Sequence, residues 1–257
     1  MKKLLGVILS TAIVVSMMAG CGSKGSGSSG SKSAALSDGV LTVGTNAEFP
    51  PFEYVGDDGE PDGFDMALIK AIGDELGVKV VIENMDFDSL VSAIGSKTDV
   101  AIAGMTVTDE RKQSVDFSEP YFDAVQHVLV PANSDISSYD DLVGKTIGVQ
   151  LGTTGDFLVE DIEGATAQQY TKAVDAVNDL VNGRVDAVIV DSNPAGVFAK
   201  NFEGTIKDLD GADFGFEVEN YAIALPKGDS ELKAAIDGAL KKLKENGTYD
   251  ELVKKYI

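Results

Sequence analysis

LVSAIGSKTDVAIAG at residues 90–104 and VNDLVNGRVDAVIVD at residues 177–191 are the stretches on which the fold turns. Each runs through a helical phase, a Gly-containing turn, an aspartate and a short apolar strand. Leu90, Val91 and Ile94 recur at helical spacing in the first, and Val177, Leu180 and Val181 in the second. The strands read at 99–103 and 186–190 are almost wholly apolar, the pattern of a strand buried on both faces. The likeness has two readings: two lobes of similar topology, or the generic grammar of βαβ units met twice.

Outward from these stretches the alternation continues. Before the first, residues 40–44 read as a strand. Residues 64–76 form a helix with Leu68, Ile69, Ile72 and Leu76 on one face, stopped by Gly77, and 78–82 a strand. Thr108, Asp109 and Glu110 open a short helix with a cap residue and two acids. Before the second, 145–150 and 166–170 read as strands, with helices from about 153 and at 172–182. At the end, 220–225 reads as a strand, 229–246 as a long helix and 249–256 as a last one. Alternating β and α predicts mostly parallel sheets with helices on both faces. A cleft is expected at the strand C-termini, where open α/β sheets bind ligands.

The chain of 257 residues carries 21 Lys and Arg against 42 Asp and Glu, a net charge of −21. That argues against nucleic acid, whose phosphates need basic surfaces, and against a polybasic hold on anionic lipid. Solubility explains the charge, as does a field that draws cationic ligands. There is 1 His, His127, and 1 Cys, Cys21. A multi-His metal site and an intramolecular disulfide are not expected, and no cofactor is.

Met1, Lys2 and Lys3 form a positive start, followed by an almost wholly apolar run over residues 4–18. Met18-Ala19-Gly20-Cys21 has the small residues of a bacterial lipoprotein cleavage site, with Met18 where Leu is usual. The run is short for a spanning helix, and residues 1–20 read as a signal peptide. Cys21 would then be the lipidated N-terminus. Residues 22–33, GSKGSGSSGSKS, hold no apolar side chain to offset ordering entropy. Residues 21–37 read as a flexible tether, a dozen of which span roughly 20 Å. The folded part is expected just outside a membrane, held by the lipid alone.

Eight motifs follow one another in order along the chain: GTNAEFPPFEYV at 44–55, GFDMALIKAIG at 63–73, MDF at 85–87, AGMTVTDERK at 103–112, VDFSEPYFD at 115–123, KTIGVQLGTTG at 145–155, VDAVIVD at 185–191 and NGTYDELVKKYI at 246–257. Together they resemble the extracellular solute-binding proteins (family 3) of polar amino-acid ABC transporters, relatives of the lysine/arginine/ornithine-, histidine- and glutamine-binding proteins. The resemblance implies a periplasmic-binding-protein-like α/β fold of type II, two lobes joined by two hinge strands. Lobe 1 would be 38–121 with 220–257, lobe 2 would be 126–216, and the hinge 121–125 with 217–219. It also implies a monomer that captures a polar amino acid by hinge closure and delivers it to the permease subunits of an importer. A basic ligand is favoured, with glutamine or cystine as alternatives.

The resemblance also assigns roles. Arg111, five residues after Thr106, matches the family's carboxylate-binding arginine; a planar guanidinium fits a carboxylate bidentately. The alternative is a surface pair with Asp109 or Glu110. Backbone amides at Thr106, Thr153 and Thr154 would add donors, although Thr153 and Thr154 also read as helix caps. Asp191 matches the ammonium-binding aspartate, or else caps the following helix. The carbonyl of Ala103 or Gly104 would share the ammonium, with Gly104 allowing close approach. Phe49, Phe52 and Phe87 match aromatic positions around the ligand, Phe52 equally a core residue. Asn46 stands where proteins that bind basic ligands carry Asp. Glu48 could supply that charge or be a solvated acid. Gln150 is at a pocket position, and Met105 reads as packing.

Two other classes compete. An enzyme resembling cyclic-acid dehydratases would need a general acid or base in the cleft, for which only His127 and Glu48 stand out. A sensory domain would use the same binding to signal, and none of the sequence reads as a cytoplasmic module.

Overall fold

A computed structural model describes residues 33–257. The segments read as signal peptide, lipidation site at Cys21 and tether as far as residue 32 lie outside the described residues. Among the described residues no helix is long and apolar enough to cross a membrane.

The first half runs α1 (Ala34–Ser37), β1 (Val40–Thr45), β2 (Glu48–Phe49), β3 (Glu53–Val55), β4 (Pro61–Asp62), α2 (Phe64–Leu76) and β5 (Lys79–Asn84). It continues through α3 (Leu90–Ala93), β6 (Val100–Ala101), α4 (Arg111–Ser114), β7 (Val115–Phe117) and β8 (Phe122–Pro131). The second half holds β9 (Thr146–Gln150), α5 (Thr154–Glu160), β10 (Thr166–Tyr170), α6 (Ala173–Val181), β11 (Ala187–Asp191), α7 (Ser192–Asn201) and β12 (Ile206–Leu209). β13 (Val218–Tyr221), β14 (Ala224–Pro226), α8 (Ser230–Glu245) and α9 (Thr248–Tyr256) close the chain.

Two sheets carry the fold. The first has the order β5-β1-β6-β14-β7 and the second β10-β9-β11-β8-β12. In each, three parallel strands are followed by an antiparallel one: β14 against β6, and β8 against β11. The two apolar strands that opened the sequence reading, β6 and β11, hold the same third place. Two lobes of like topology, rather than generic grammar, account for the repeat. The first residues of β8 pair with β13, with Val125 opposite Val218 and Phe122 opposite Tyr221. That ladder lies where the chain passes between the sheets. β2, β3 and β4 form a small separate sheet.

Packing explains the strand pattern. β11 is buried at all five positions. Ala176, Val177 and Leu180 of α6 belong to the cluster that includes Val188, while Ile189 joins Val128, Ile147 and Phe214 in another. In the first lobe Leu68, Ile69 and Ile72 of α2 share a cluster with Leu232, Ile236, Leu240 and Leu243 of α8. Each such side chain removed from water contributes about 1.5–3 kcal/mol. Gly77 ends α2 in a left-handed conformation, φ 68°, that lets its amide and the next close the last turn. Asp229 Oδ1 accepts from the Leu232 amide at 3.0 Å and starts α8.

Three expectations change. Residues 34–37, read as tether, form a one-turn helix; Ala35 packs in the core and Ser33 Oγ donates to Asp229 at 2.9 Å. The strand read at 220–225 divides into β13, which pairs with β8, and β14, which enters the first sheet. The strand read at 99–103 shortens to two residues, because the chain turns at Gly104 with φ +51°.

The first sheet has β1 between β5 and β6, and the second has β9 between β10 and β11. Both arrangements make a switch point between the first and third parallel strands, at their carboxyl ends.

Candidate functional site

Four strand ends converge at those switch points. Asn46 follows β1, Ala103 to Thr106 follow β6, Gln150 ends β9 and Asp191 ends β11. Asn46, Ala103, Gly104, Thr106, Gln150 and Asp191 border one small, largely enclosed cavity. Ala103, Gly104, Thr106, Arg111 and Phe87 line it from the first lobe with Asn46 and Phe49. Gln150, Thr153, Thr154 and Asp191 line it from the second.

Arg111 opens α4 and is 8% exposed. Its amide donates to Thr108 Oγ1 at 3.1 Å, which fixes the turn. Nη1 donates to the Thr106 carbonyl at 2.7 Å and Nη2 to the Gly152 carbonyl at 2.9 Å. A first-lobe guanidinium thus reaches the loop after β9. Its Cζ lies 5.3 Å from the centre of the Phe87 ring, within cation–π range. The surface alternative does not form, since Asp109 is held by Lys112 at 3.1 Å. Burial pulls the Arg111 pKa down, and the carboxylates of Glu219 and Asp191 oppose it.

Asp191 is 7% exposed and accepts a hydrogen bond from the Tyr221 hydroxyl. It precedes α7 but makes no side-chain capping bond. Burial, then the Glu219 carboxylate, push its pKa up to about 7, against hydrogen bonds from Tyr221 and Gln126. An ammonium at hydrogen-bond distance would favour the ionised form. One wall therefore offers a buried cation and the other a carboxyl that a cation would charge.

Gly104 sits between them. A Cβ there would stand 2.8 Å from Phe49 Cε1, and its φ of +51° disfavours other residues. Thr153 caps α5, its Oγ1 accepting from the Asp156 amide at 3.3 Å. The Thr106 and Thr154 hydroxyls both donate to Oε2 of Glu219, on β13. At another part of the cavity Asn46 Oδ1 accepts from Gln150 Nε2 at 2.9 Å, while Asn46 Nδ2 donates to the Met85 carbonyl at 3.0 Å.

Three candidates do not line the cavity. Phe52 is fully buried in an aromatic cluster, its ring 5.0 Å from Phe122 and 5.3 Å from Tyr221. Met105 is buried with Leu90, Ala101 and Ala222. Glu48, partly exposed, is not in the cavity lining: its Oε1 forms an ion pair with Lys172, just before α6 in the other lobe. His127 lies on β8, with Nδ1 2.8 Å from Asp208.

The sequence model of the bacterial extracellular solute-binding proteins, family 3, matches residues 41–257. The chain belongs to this family. It is 35% identical over 266 residues to a probable histidine-binding protein of Neisseria gonorrhoeae, covering 100% of this chain and 96% of that one. It is 35% identical over 264 residues to the arginine-binding extracellular protein ArtP of Bacillus subtilis, covering 100% and 98%. An ancestral arginine-binding protein, solved bound to arginine, superposes with a TM-score of 0.80 at 42% identity, covering 85% of this chain and 98% of that one. This family 3 protein therefore has the two-lobe type II fold, and its relatives are named as amino-acid-binding proteins.

Around the cavity of this family 3 member stand residues that sequence reading passed over. Glu219 is one acid in a strongly acidic chain, and nothing in its spacing marks it. Tyr221 gives no signal either. Asp65, whose Oδ2 accepts from the Gly104 amide at 2.8 Å, did leave one. It falls at helical spacing with Ile69, Ile72 and Leu76, an acid on a buried face.

Proposed function

We propose that this chain is the substrate-binding lipoprotein of an ABC importer, and that it captures a polar amino acid with a basic side chain. Arg111 binds the ligand carboxylate, helped by amides at Thr106, Thr153 and Thr154. Asp191 and the Ala103 or Gly104 carbonyl bind the ammonium. Phe49 and Phe87 flank the side chain, with Asn46 and Gln150 beside them. Phe52 and Met105 back this wall, and Glu48 acts through its pair with Lys172. The observation that carries the reading is one buried cation and one buried carboxyl, from different lobes, lining the same cavity. The named ligands of the histidine- and arginine-binding relatives support the basic class.

In this reading lobe 1 is 38–121 with 220–257, lobe 2 is 126–216, and 121–125 with 217–219 is the hinge. Ligand contacts made from both lobes at once favour the closed form. The closed monomer delivers its ligand to the permease subunits. Cys21 carries the lipid that holds it on the outer face of the cytoplasmic membrane. Cys21→Ser should release the protein into the medium or leave it unprocessed; a lipid-free, processed and still membrane-bound form would overturn the anchor.

A second reading, a neutral amide ligand such as glutamine, has one observation in its favour. Asn46 and Gln150 put two amides in the cavity where a carboxylate would suit a cationic end, and Glu48 is committed to Lys172. The deciding experiment unfolds and refolds the protein to strip carried-over ligand, then measures thermal shifts with amino acids. A ligand that binds only the native state raises Tm. Shifts with arginine, lysine, ornithine or histidine support the basic class. Shifts with glutamine or cystine alone replace it, and no shift with any amino acid ends the binding reading.

A further inference from the structure

Behind the cavity wall lies a pair of acids that ligand capture does not touch. Glu53 on β3 and Asp65 in the first turn of α2 are both 0% exposed. Their carboxyl groups are neighbours, each acting on the ionisation of the other. Asp65 Oδ2 is fully engaged, accepting from the Gly104 amide at 2.8 Å and the Tyr121 hydroxyl at 2.7 Å. Among the described residues, Asp65 Oδ1 and both Glu53 oxygens have no N–H or O–H donor.

Two ionised carboxylates in a dry interior repel, and their oxygens can only accept. The groups acting on the pair give no relief: Tyr121 ahead of β8, Tyr249 of α9 and Asp191 at the end of β11 are all neutral or acidic. A single proton between the two carboxyls turns two stranded acceptors into a donor and its acceptor. Burial raises both carboxyls, Asp65 to about 6. Asp65 already accepts two hydrogen bonds, which favours its ionised form, whereas Glu53 has no donor, so the proton resides on Glu53.

The bond from Gly104 to Asp65 has a directional consequence. A trans peptide is planar, with its N–H and C=O on opposite sides. The Gly104 N–H points into the first lobe at Asp65. The carbonyl of the same peptide, that of Ala103, points the other way, and both residues line the cavity.

We propose that Glu53 and Asp65 share one proton, and that this buried acid pair sets the Ala103–Gly104 peptide so that the Ala103 carbonyl faces the ligand's ammonium. The inference rests on the reading of the cavity as an amino-acid site. Asp65 is a positioning residue, and protonated Glu53 holds it in place. Loss of the shared proton sets two carboxylates against each other and releases the peptide.

The test measures binding of L-arginine and L-glutamine by calorimetry between about pH 6 and 9. It compares the wild type with Glu53→Gln and Asp65→Asn, and follows side-chain carboxyl resonances by carbon-13 NMR in the wild type. Affinity for whichever probe binds should fall about tenfold as the shared proton leaves, a 1.4 kcal/mol effect. Glu53→Gln keeps a donor that does not titrate and should flatten that slope. Asp65→Asn should weaken binding across the range, and one carboxyl resonance should titrate well above the rest. The resonance that counts is that of Glu53, assigned apart from Asp191, which is itself raised to about 7; ordinary titration of both Glu53 and Asp65 overturns the shared proton. A wild-type slope in Glu53→Gln, or wild-type affinity in Asp65→Asn, overturns the positioning role. If neither probe binds the wild type, the cavity reading falls and the positioning role with it, while the NMR titration still decides the shared proton on its own.

Discussion

Gln150 Nε2 donates to Asn46 Oδ1 across 2.9 Å and so joins the last residue of β9 in one sheet to the residue after β1 in the other. Arg111 makes a second such link through the Gly152 carbonyl, and Glu48 a third through Lys172. The described conformation is therefore one in which the lobes already touch around the cavity, with Arg111 and Asp191 on opposite walls.

Arg111→Ala and Asp191→Ala should each weaken amino-acid binding by more than about thirtyfold, since removing one partner of a buried charged contact costs about 2–5 kcal/mol. Circular dichroism should report an unchanged fold. Calorimetry with the amino acid that shifts Tm most is the check, and wild-type affinity in both variants would falsify the site.

Glu48→Gln separates a charge that reads the ligand from one that links the lobes. Because Glu48 pairs with Lys172 away from the cavity, it should weaken arginine and glutamine binding alike, by no more than about fivefold. Lys172→Met should do the same, and both effects should shrink in high salt. A loss confined to arginine would place Glu48 on the ligand.

The raised pKa of Asp191 has a sign that can be measured. Folded, it holds its proton up to about 7, whereas the unfolded value is 3.8. Between these values the native state binds the extra proton, so stability falls as pH rises through the window. Tm of the ligand-free protein should drop from about pH 4 to 7, and Asp191→Asn should reduce that drop. Asp116, Asp141 and Asp179, whose pKa values are lowered by hydrogen bonds, act below that window, so their stabilisation is lost only at lower pH. Ligand affinity should run the other way, strengthening towards pH 7 as Asp191 gives up its proton. An affinity that is flat from pH 5 to 7 would remove Asp191 from the ammonium.

Gly104→Ala forces a side chain into a left-handed backbone and against Phe49. It should cost about 1–3 kcal/mol of stability in urea unfolding and weaken ligand binding as well. Full retention of both would mean that the loop relaxes without loss.

Much of this was legible in the chain. The helix α2 could be placed because Leu68, Ile69, Ile72 and Leu76 fall on one face and Gly77 follows. The strands β2, β3 and β4 left no trace, since two or three residues are too few to show a period. The break at residue 222 was hidden because Tyr221 to Leu225 are all buried and read as one run. There the chain changes sheets for tertiary reasons: the Ala222 amide donates to the Met105 carbonyl and the Ile223 amide to Ser118 Oγ. Motif resemblance singled out Arg111 and Asp191, and the structure brings them to one cavity. The partner of Glu48 could not be read, because Lys172 is distant in sequence and nothing in either residue announces the other. Glu219 was equally hidden, one acid among 42.

The place of β14 in the first sheet fixes an order of assembly. It lies between β6 and β7, although more than a hundred residues separate it from either. A chain emerging N-terminus first can pair β8 to β12 into the second sheet while the first still has a gap between β6 and its edge strand β7. Only when residues 224–226 arrive do β6 and β7 become parts of one sheet, and only then can α8 and α9 cover it. The half made first is therefore the half finished last, and long-range closure of this kind is the slow step in a fold.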